Sequence, residues 1–158
     1  MTATLSPPSR IPWPPALLVG ALALGVVLQR YAPLPWPAAP LRDHLGLPGW
    51  LLVLAALTME FAVARELLRA GTTVMPHRPA QQLVTAGPFA RSRNPIYVGH
   101  MALLVGLALL RGNPWWLLLT PVFGVGLHVL AVLPEERHLH AVFGATYSAY
   151  CQRVRRWL

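Results

Sequence analysis

The sequence predicts an all-α integral membrane protein with about four transmembrane helices and a C-terminal amphipathic helix on the cytoplasmic side. Of its 158 residues, 55% are hydrophobic and only 11% are charged, whereas a soluble domain carries about a quarter charged residues. Four apolar segments each approach the ~20 residues that span the hydrocarbon core as a helix. After them, apolar side chains recur every three or four residues, which is typical of an amphipathic helix.

The apolar segments follow one another along the chain and span residues 14–29, 49–68, 95–110 and 114–133. The first has one arginine in its preceding flank and no small-residue cleavage site after it, so we expect a retained helix and not a signal peptide. The proline-rich stretch 32–49 is expected to be a structured loop outside the hydrocarbon core. Residues 1–158 are therefore expected to form a single membrane domain.

The distribution of arginine predicts the orientation in the membrane. All 13 basic residues are arginine, and the formal net charge is +8. Four crossings place ten arginines on the side of the two termini and three on the other side. Because cytoplasmic loops are enriched in positive charge, we expect both termini in the cytoplasm. The arginines are divided among several loops, so the expected partner is the bilayer and not nucleic acid.

The last predicted element is an amphipathic helix from Pro134 to Val154. Polar side chains separate its apolar positions, which are Leu139, Val142, Phe143, Tyr147, Tyr150, Cys151 and Val154. The segment is too polar to span a bilayer, so we expect it at the cytoplasmic interface or as a cap on the bundle. Cys151 is the only cysteine, and no cysteine-based metal site can form within one chain.

Two short polar stretches lie at the cytoplasmic ends of the third and fourth segments. Only residues 111–113 join these segments, so they form an antiparallel hairpin and the two stretches meet. Asn94-Pro95 predicts an N-cap followed by a first-turn proline, and Pro134-Glu135-Glu136 predicts a second helix start. Helix N-termini accept a carboxylate and a glutamate accepts an ammonium, so the pattern predicts a site for a zwitterionic ligand. Good helix caps with no ligand would show the same pattern.

The stretches LVTAGPFARSRNPIYVG (83–99) and EERHLHAVFGATYSAYCQRV (135–154) resemble the isoprenylcysteine carboxyl methyltransferase and phospholipid methyltransferase superfamily. The preceding GTTVMPHRPAQQ (71–82) looks like the corresponding loop of bacterial members, which suggests a bacterial inner membrane. The resemblance covers 71–154 and implies a membrane methyltransferase that binds S-adenosylmethionine on the cytosolic side. The cofactor-binding residues that it implies are Gln81, Gln82, Leu83, Val84, Phe89, Asn94, Pro95, Ile96, Tyr97 and Glu135.

The resemblance leaves the methyl acceptor open. The isoprenylcysteine enzymes carry an arginine about one helical turn before the acidic pair, where this chain has Ala131, so a carboxylate acceptor is disfavoured. We expect a lipid or another hydrophobic small molecule. Ionisable groups in membrane helices are functional candidates, and the candidate catalytic residues are Glu60, His128 and Glu136. Two alternatives stay open: an NADPH-dependent membrane reductase of the sterol-reductase type, and a membrane protein without enzymatic activity.

Overall fold

A computed structural model describes residues 12–71 and 82–158, and every regular element within these ranges is helical. The predicted all-α fold class is confirmed. The α-helices are α1 (Trp13–Tyr31), α2 (Leu41–His44), α3 (Gly46–Arg69), α4 (Pro95–Arg111), α5 (Pro114–Leu127) and α6 (Leu133–Arg153). A 3₁₀ turn, Gly87–Ala90, precedes α4, and a π-helical segment, His128–Val132, joins α5 to α6.

The described helices are suited to a bilayer. Three helical stretches are long and apolar enough to cross a membrane, namely Trp13–Tyr31, Leu41–Arg69 and Pro114–Arg153. Helix α4 is a shorter apolar helix of 17 residues. The outward faces carry exposed large apolar side chains, such as Phe61 and Val122. A continuous apolar surface of this kind suits lipid acyl chains and not water, and the protein is an integral membrane protein.

A close backbone approach packs α3 against α4. A Cβ atom added to Gly106 would lie 2.9 Å from the carbonyl oxygen of Gly49 and 2.9 Å from Cγ2 of Val53. Only glycine fits this contact without a shift of the backbone. Because lipid tails are as apolar as leucine, helices in a membrane associate through such van der Waals packing, and small residues permit it.

Polar side chains fasten α1 to α5 at the opposite end of the bundle from the start of α4. Asn113 caps α5 and donates a hydrogen bond from Nδ2 to the carbonyl of Gly25, at 3.0 Å. The indole Nε1 of Trp116 donates to the carbonyl of Leu22, at 3.1 Å. Gly112, in the left-handed conformation with φ 62°, ends α4, so α4 and α5 form the predicted antiparallel hairpin.

The chain after α5 differs from the prediction in two places. The helix start predicted at Pro134 agrees with the beginning of α6 at Leu133, but it is not a free helix end, because one helical stretch continues from Pro114 to Arg153. Its π turn, in which the N–H of Leu133 bonds to the carbonyl of His128, widens the helix where the proline ring would clash with an α-helical carbonyl. The predicted single amphipathic helix is also interrupted, since Gly144 adopts φ 48° and ψ −120°, a conformation that glycine reaches without a Cβ clash.

Gly106→Ala tests the contact between α3 and α4. The added methyl group has to displace the α3 backbone, so we expect the free energy of unfolding in detergent to fall by about 1–3 kcal/mol, the usual range for overpacking. Thermal unfolding followed by circular dichroism measures the effect. Gly20→Ala in α1 is the matched control, because no atom lies within 4 Å of its added Cβ. Equal melting temperatures for the two variants would contradict the close approach.

Candidate functional site

The predicted cofactor residues at the start of α4 meet the acidic pair at one end of the bundle. Helix α4 begins after the buried Asn94, with Pro95 in its first position. Ile96 packs against the main core, and the buried Tyr97 follows it. The Tyr97 hydroxyl donates a hydrogen bond to Oε2 of Glu135, at 3.1 Å, across 38 residues of sequence. The two polar stretches therefore lie side by side.

Asn94 occupies the N-cap position, but the predicted side-chain cap is wrong. The Asn94 side chain makes no capping hydrogen bond to α4. Its Nδ2 donates instead to the carbonyl of Arg156, at 2.9 Å, and its backbone N–H donates to Oγ of Ser92, at 3.1 Å. The backbone N–H of Arg93 donates to the carbonyl of Arg155, at 3.0 Å. The C-terminal residues thus fold back along the segment that leads into α4.

Glu136 is the centre of an ion-pair cluster. Arg156 donates from Nε and Nη2 to the two carboxylate oxygens, each at 2.9 Å. Nη1 of Arg93 lies 3.1 Å from Oε1 of Glu136 and also contacts Sγ of Cys151 at 2.8 Å. The hydrogen bonds that Arg156 donates to Glu136 raise the pKa of Arg156, so the guanidinium stays charged. With both oxygens engaged by cations, Glu136 is suited to anchoring these segments.

The segment before the 3₁₀ turn packs on the second half of α6. Leu83 lies against a small core cluster that consists of Tyr147, Tyr150 and Val154. The carbonyl of Phe89 accepts a hydrogen bond from the hydroxyl of Tyr150, at 2.7 Å. These contacts position the two residues beside α6, at the same end of the bundle as Tyr97 and Glu135.

The remaining predicted cofactor residues have fewer described contacts with the site. Val84 is partly buried and Gln82 is exposed. Gln81 lies outside the described residues. The structure therefore brings the start of α4 together with Glu135 and leaves the glutamine part of the prediction without a described contact.

An acid–histidine pair lies deeper between α3 and α4. Its acid, Glu60, was among the predicted candidates and is 34% exposed, but its partner His100 was not predicted. Nε2 of His100 is 3.4 Å from Oε1 of Glu60, and the histidine is buried. The His100 ring centroid is 6.4 Å from the rings of both Tyr97 and Phe123. The signal was present in the sequence, since residues three apart, such as Tyr97 and His100, share one helix face.

The third candidate catalytic residue, His128, has different surroundings. It lies in the π segment, and its ring centroid is 6.2 Å from that of Trp157. Among the described residues, its Nδ1 is buried without a hydrogen-bond partner. Of the three candidates, Glu60 is paired with a histidine, Glu136 is held by two arginines, and His128 lies against an aromatic ring.

A family model for phospholipid methyltransferases matches residues 46–146, from the start of α3 into the second half of α6. The chain belongs to the phospholipid methyltransferase family. The superfamily predicted from the two motifs is confirmed, and membership in this family implies methyltransferase activity. Neither the curated proteins nor the solved structures contain a match to the chain. The matched range includes the Tyr97–Glu135 contact and the Glu60–His100 pair.

Two amide substitutions test the ion-pair cluster. Glu136→Gln is expected to lower the free energy of unfolding by about 3 kcal/mol, because removing one member of a buried ion pair leaves its partner charge uncompensated. Arg156→Gln is expected to cost about 1 kcal/mol, since Arg156 is more exposed than Arg93, and exposed pairs contribute little. Denaturant titration of both variants in detergent measures the difference. A smaller loss of unfolding free energy for Glu136→Gln than for Arg156→Gln would show that the charge of Arg93 is not compensated by this carboxylate.

Proposed function

We propose that this protein is an S-adenosylmethionine-dependent methyltransferase that methylates an amine-bearing lipid at the cytoplasmic face of a bacterial inner membrane. The observation that carries the proposal is the Tyr97–Glu135 hydrogen bond, because it unites the two motif segments in one site. Family membership supplies the reaction class, methyl transfer. The ten-to-three distribution of arginine supports the cytoplasmic orientation.

The residues at the start of α4 fit the amino-acid part of the cofactor. S-adenosylmethionine supplies an activated methyl group on a sulfonium, together with an ammonium and a carboxylate. Tyr97 engages Oε2 of Glu135, and among the described contacts Oε1 is left to accept a charge-assisted hydrogen bond from the ammonium. The N-terminus of α4 carries partial positive charge, which favours the carboxylate. The site thus offers one complementary group for each charge of the ligand.

An amine suits the acceptor side better than a carboxylate. Ala131 is a small buried residue, and it stands where an arginine could clamp a carboxylate with two hydrogen bonds. The site lies at one end of the bundle, and in a transmembrane orientation this end would reach the headgroup layer, where a lipid amine such as that of phosphatidylethanolamine lies. The protein's contribution to the rate would be positioning of the two reactants and exclusion of water.

S-adenosylhomocysteine is expected to bind at about micromolar concentration and to raise the melting temperature in detergent, because a ligand that binds only the folded state stabilises it. Glu135→Ala should weaken binding by about 1.5–3 kcal/mol, the range for a charge-assisted hydrogen bond. Asp43→Ala, an exposed acid in α2 at the other end of the bundle, is the control and should bind as the wild type does. Stabilisation by NADPH and none by S-adenosylhomocysteine would favour the reductase alternative.

The purified protein is expected to transfer a labelled methyl group from S-adenosylmethionine to phosphatidylethanolamine in mixed micelles. A farnesylated cysteine analogue with a free carboxylate, offered under the same conditions, should remain unlabelled, because Ala131 cannot hold its carboxylate. Thin-layer chromatography of the extracted lipids separates the products. Labelling of the farnesyl compound alone would contradict an amine acceptor and would indicate that the protein methylates a carboxylate.

A further inference from the structure

The Glu60–His100 pair has two buried polar atoms without hydrogen bonds. Among the described residues, Nδ1 of His100 and Oε1 of Glu60 have no hydrogen-bond partner, and the 3.4 Å between Nε2 and Oε1 is an ion-pair distance. His100 is 9% exposed. An unsatisfied buried acceptor costs about 1–3 kcal/mol, and an apolar side chain at this position would avoid that cost. Ionisable groups within membrane helices face the protein interior for functional reasons.

We propose that His100, oriented by Glu60, takes the proton from the acceptor amine before methyl transfer. This inference rests on the function proposed above, and it assigns a role to a residue that the cofactor site does not use. A lipid ammonium has no lone pair and cannot attack a methyl group, so a base has to act on the acceptor side. The pair has groups that a base needs, since a carboxylate oxygen lies 3.4 Å from one nitrogen of the ring, and the other nitrogen is buried without a hydrogen-bond partner among the described residues.

The proposed step balances in protons and electrons. Nδ1 of His100 accepts one proton from the lipid ammonium, which leaves a neutral amine with a lone pair. The amine nitrogen then forms a bond to the methyl carbon while the carbon–sulfur bond breaks, and its electron pair stays on sulfur as S-adenosylhomocysteine. The product is the N-methylated ammonium, and the carboxylate of Glu60, 3.4 Å from Nε2, stabilises the imidazolium until its proton is released.

The position of His100 along α4 fits this role. It lies three residues after Tyr97, on the same face and about one turn further into the bundle, with 6.4 Å between the two ring centroids. The groups that face it are Glu60 from α3, Tyr97 from α4 and the apolar Phe123 from α5. His100 therefore lies about one helical turn further into the bundle than the residues that the proposed function assigns to the cofactor.

The other candidate catalytic residues, Glu136 and His128, are less suited to act as the base. Glu136 has both oxygens held by arginines at 2.9–3.1 Å, so a proton would have to displace an ion pair. His128 also has a buried free nitrogen, but the contact that the structure shows for its ring is Trp157, which cannot stabilise an imidazolium as a carboxylate does. Of these three candidates, His100 is the one whose ring has a carboxylate oxygen 3.4 Å from one nitrogen and, among the described residues, no hydrogen-bond partner for the other.

The test compares His100→Asn and Glu60→Gln with Glu66→Gln in the phosphatidylethanolamine assay. Glu66 is on the same helix as Glu60 and pairs with Arg69 at 3.2 Å, so the control makes the same acid-to-amide change away from the proposed base. We expect kcat of His100→Asn to fall about 10²–10⁴-fold, the usual contribution of general acid–base catalysis. S-adenosylhomocysteine should raise the melting temperature of every variant as it does for the wild type.

The pH profile separates a base from a packing residue. In His100→Asn, kcat should rise about tenfold per pH unit towards the pKa of the lipid amine, because solution then supplies the deprotonated acceptor. A loss that is constant at all pH values would assign a packing role and overturn the proposal. Glu60→Gln should show the same rise of kcat with pH, and Glu60→Asp should recover part of the wild-type kcat. If His100→Asn does not fold, these two variants provide the test.

The remaining outcomes distinguish the two proposals. Wild-type kcat in both His100→Asn and Glu60→Gln, with phosphatidylethanolamine still methylated, would overturn the role of the pair and leave the proposed function intact. A wild-type protein that is not stabilised by S-adenosylhomocysteine would overturn the proposed function, and the role of His100 would fall with it.

Discussion

The helical stretch that carries the acidic pair runs past Pro134 without a break, and its geometry there decides what each glutamate contacts. A proline inside an α-helix removes one hydrogen bond and clashes with a carbonyl of the preceding turn, and backbone groups within a bilayer need internal partners. The π segment His128–Val132 absorbs this clash. Adjacent helical residues point about 100° apart, so Glu135 reaches Tyr97 on α4 while Glu136 turns to two arginines.

The arginine cluster leaves Glu135 available for a ligand. Arg156 uses its side chain on Glu136 and its carbonyl on the amide of Asn94, so one residue connects α6 with the start of α4. Arg93 neutralises the same carboxylate from the other side. Because these bonds fix the segment that leads into α4, neither Tyr97 nor Glu135 has to serve as a structural tie between the two helices.

Hydropathy and motif spacing predicted the overall architecture of this molecule better than its individual side-chain contacts. The all-α fold follows from the length and apolar character of the segments, which bilayer thickness constrains strongly. The meeting of Tyr97 with Glu135 follows from a hairpin joined by three residues. The continuous helix through Pro134 was not predictable in this way, because a proline starts a helix or passes through a π turn according to the packing around it. The Glu60–His100 pair was also not predictable from the sequence, since it depends on the rotation of α3 against α4. The glycine contact between these helices sets that rotation.

A single helix N-terminus changes how a zwitterionic cofactor would be held. Two free N-termini were expected at this site, but α6 continues the π segment and only α4 begins freely there, so the proposed recognition depends on the first turn of α4 and on Glu135. Asn94 donates its amide N–H to the carbonyl of Arg156 and keeps an oxygen acceptor. An amide neither takes nor releases a proton near neutral pH. Asn94 can therefore contribute hydrogen bonds but no acid–base step. Under the proposed function, the proton of an amine acceptor has to leave through another group, and His100, deeper along α4, has a buried nitrogen without a hydrogen-bond partner among the described residues.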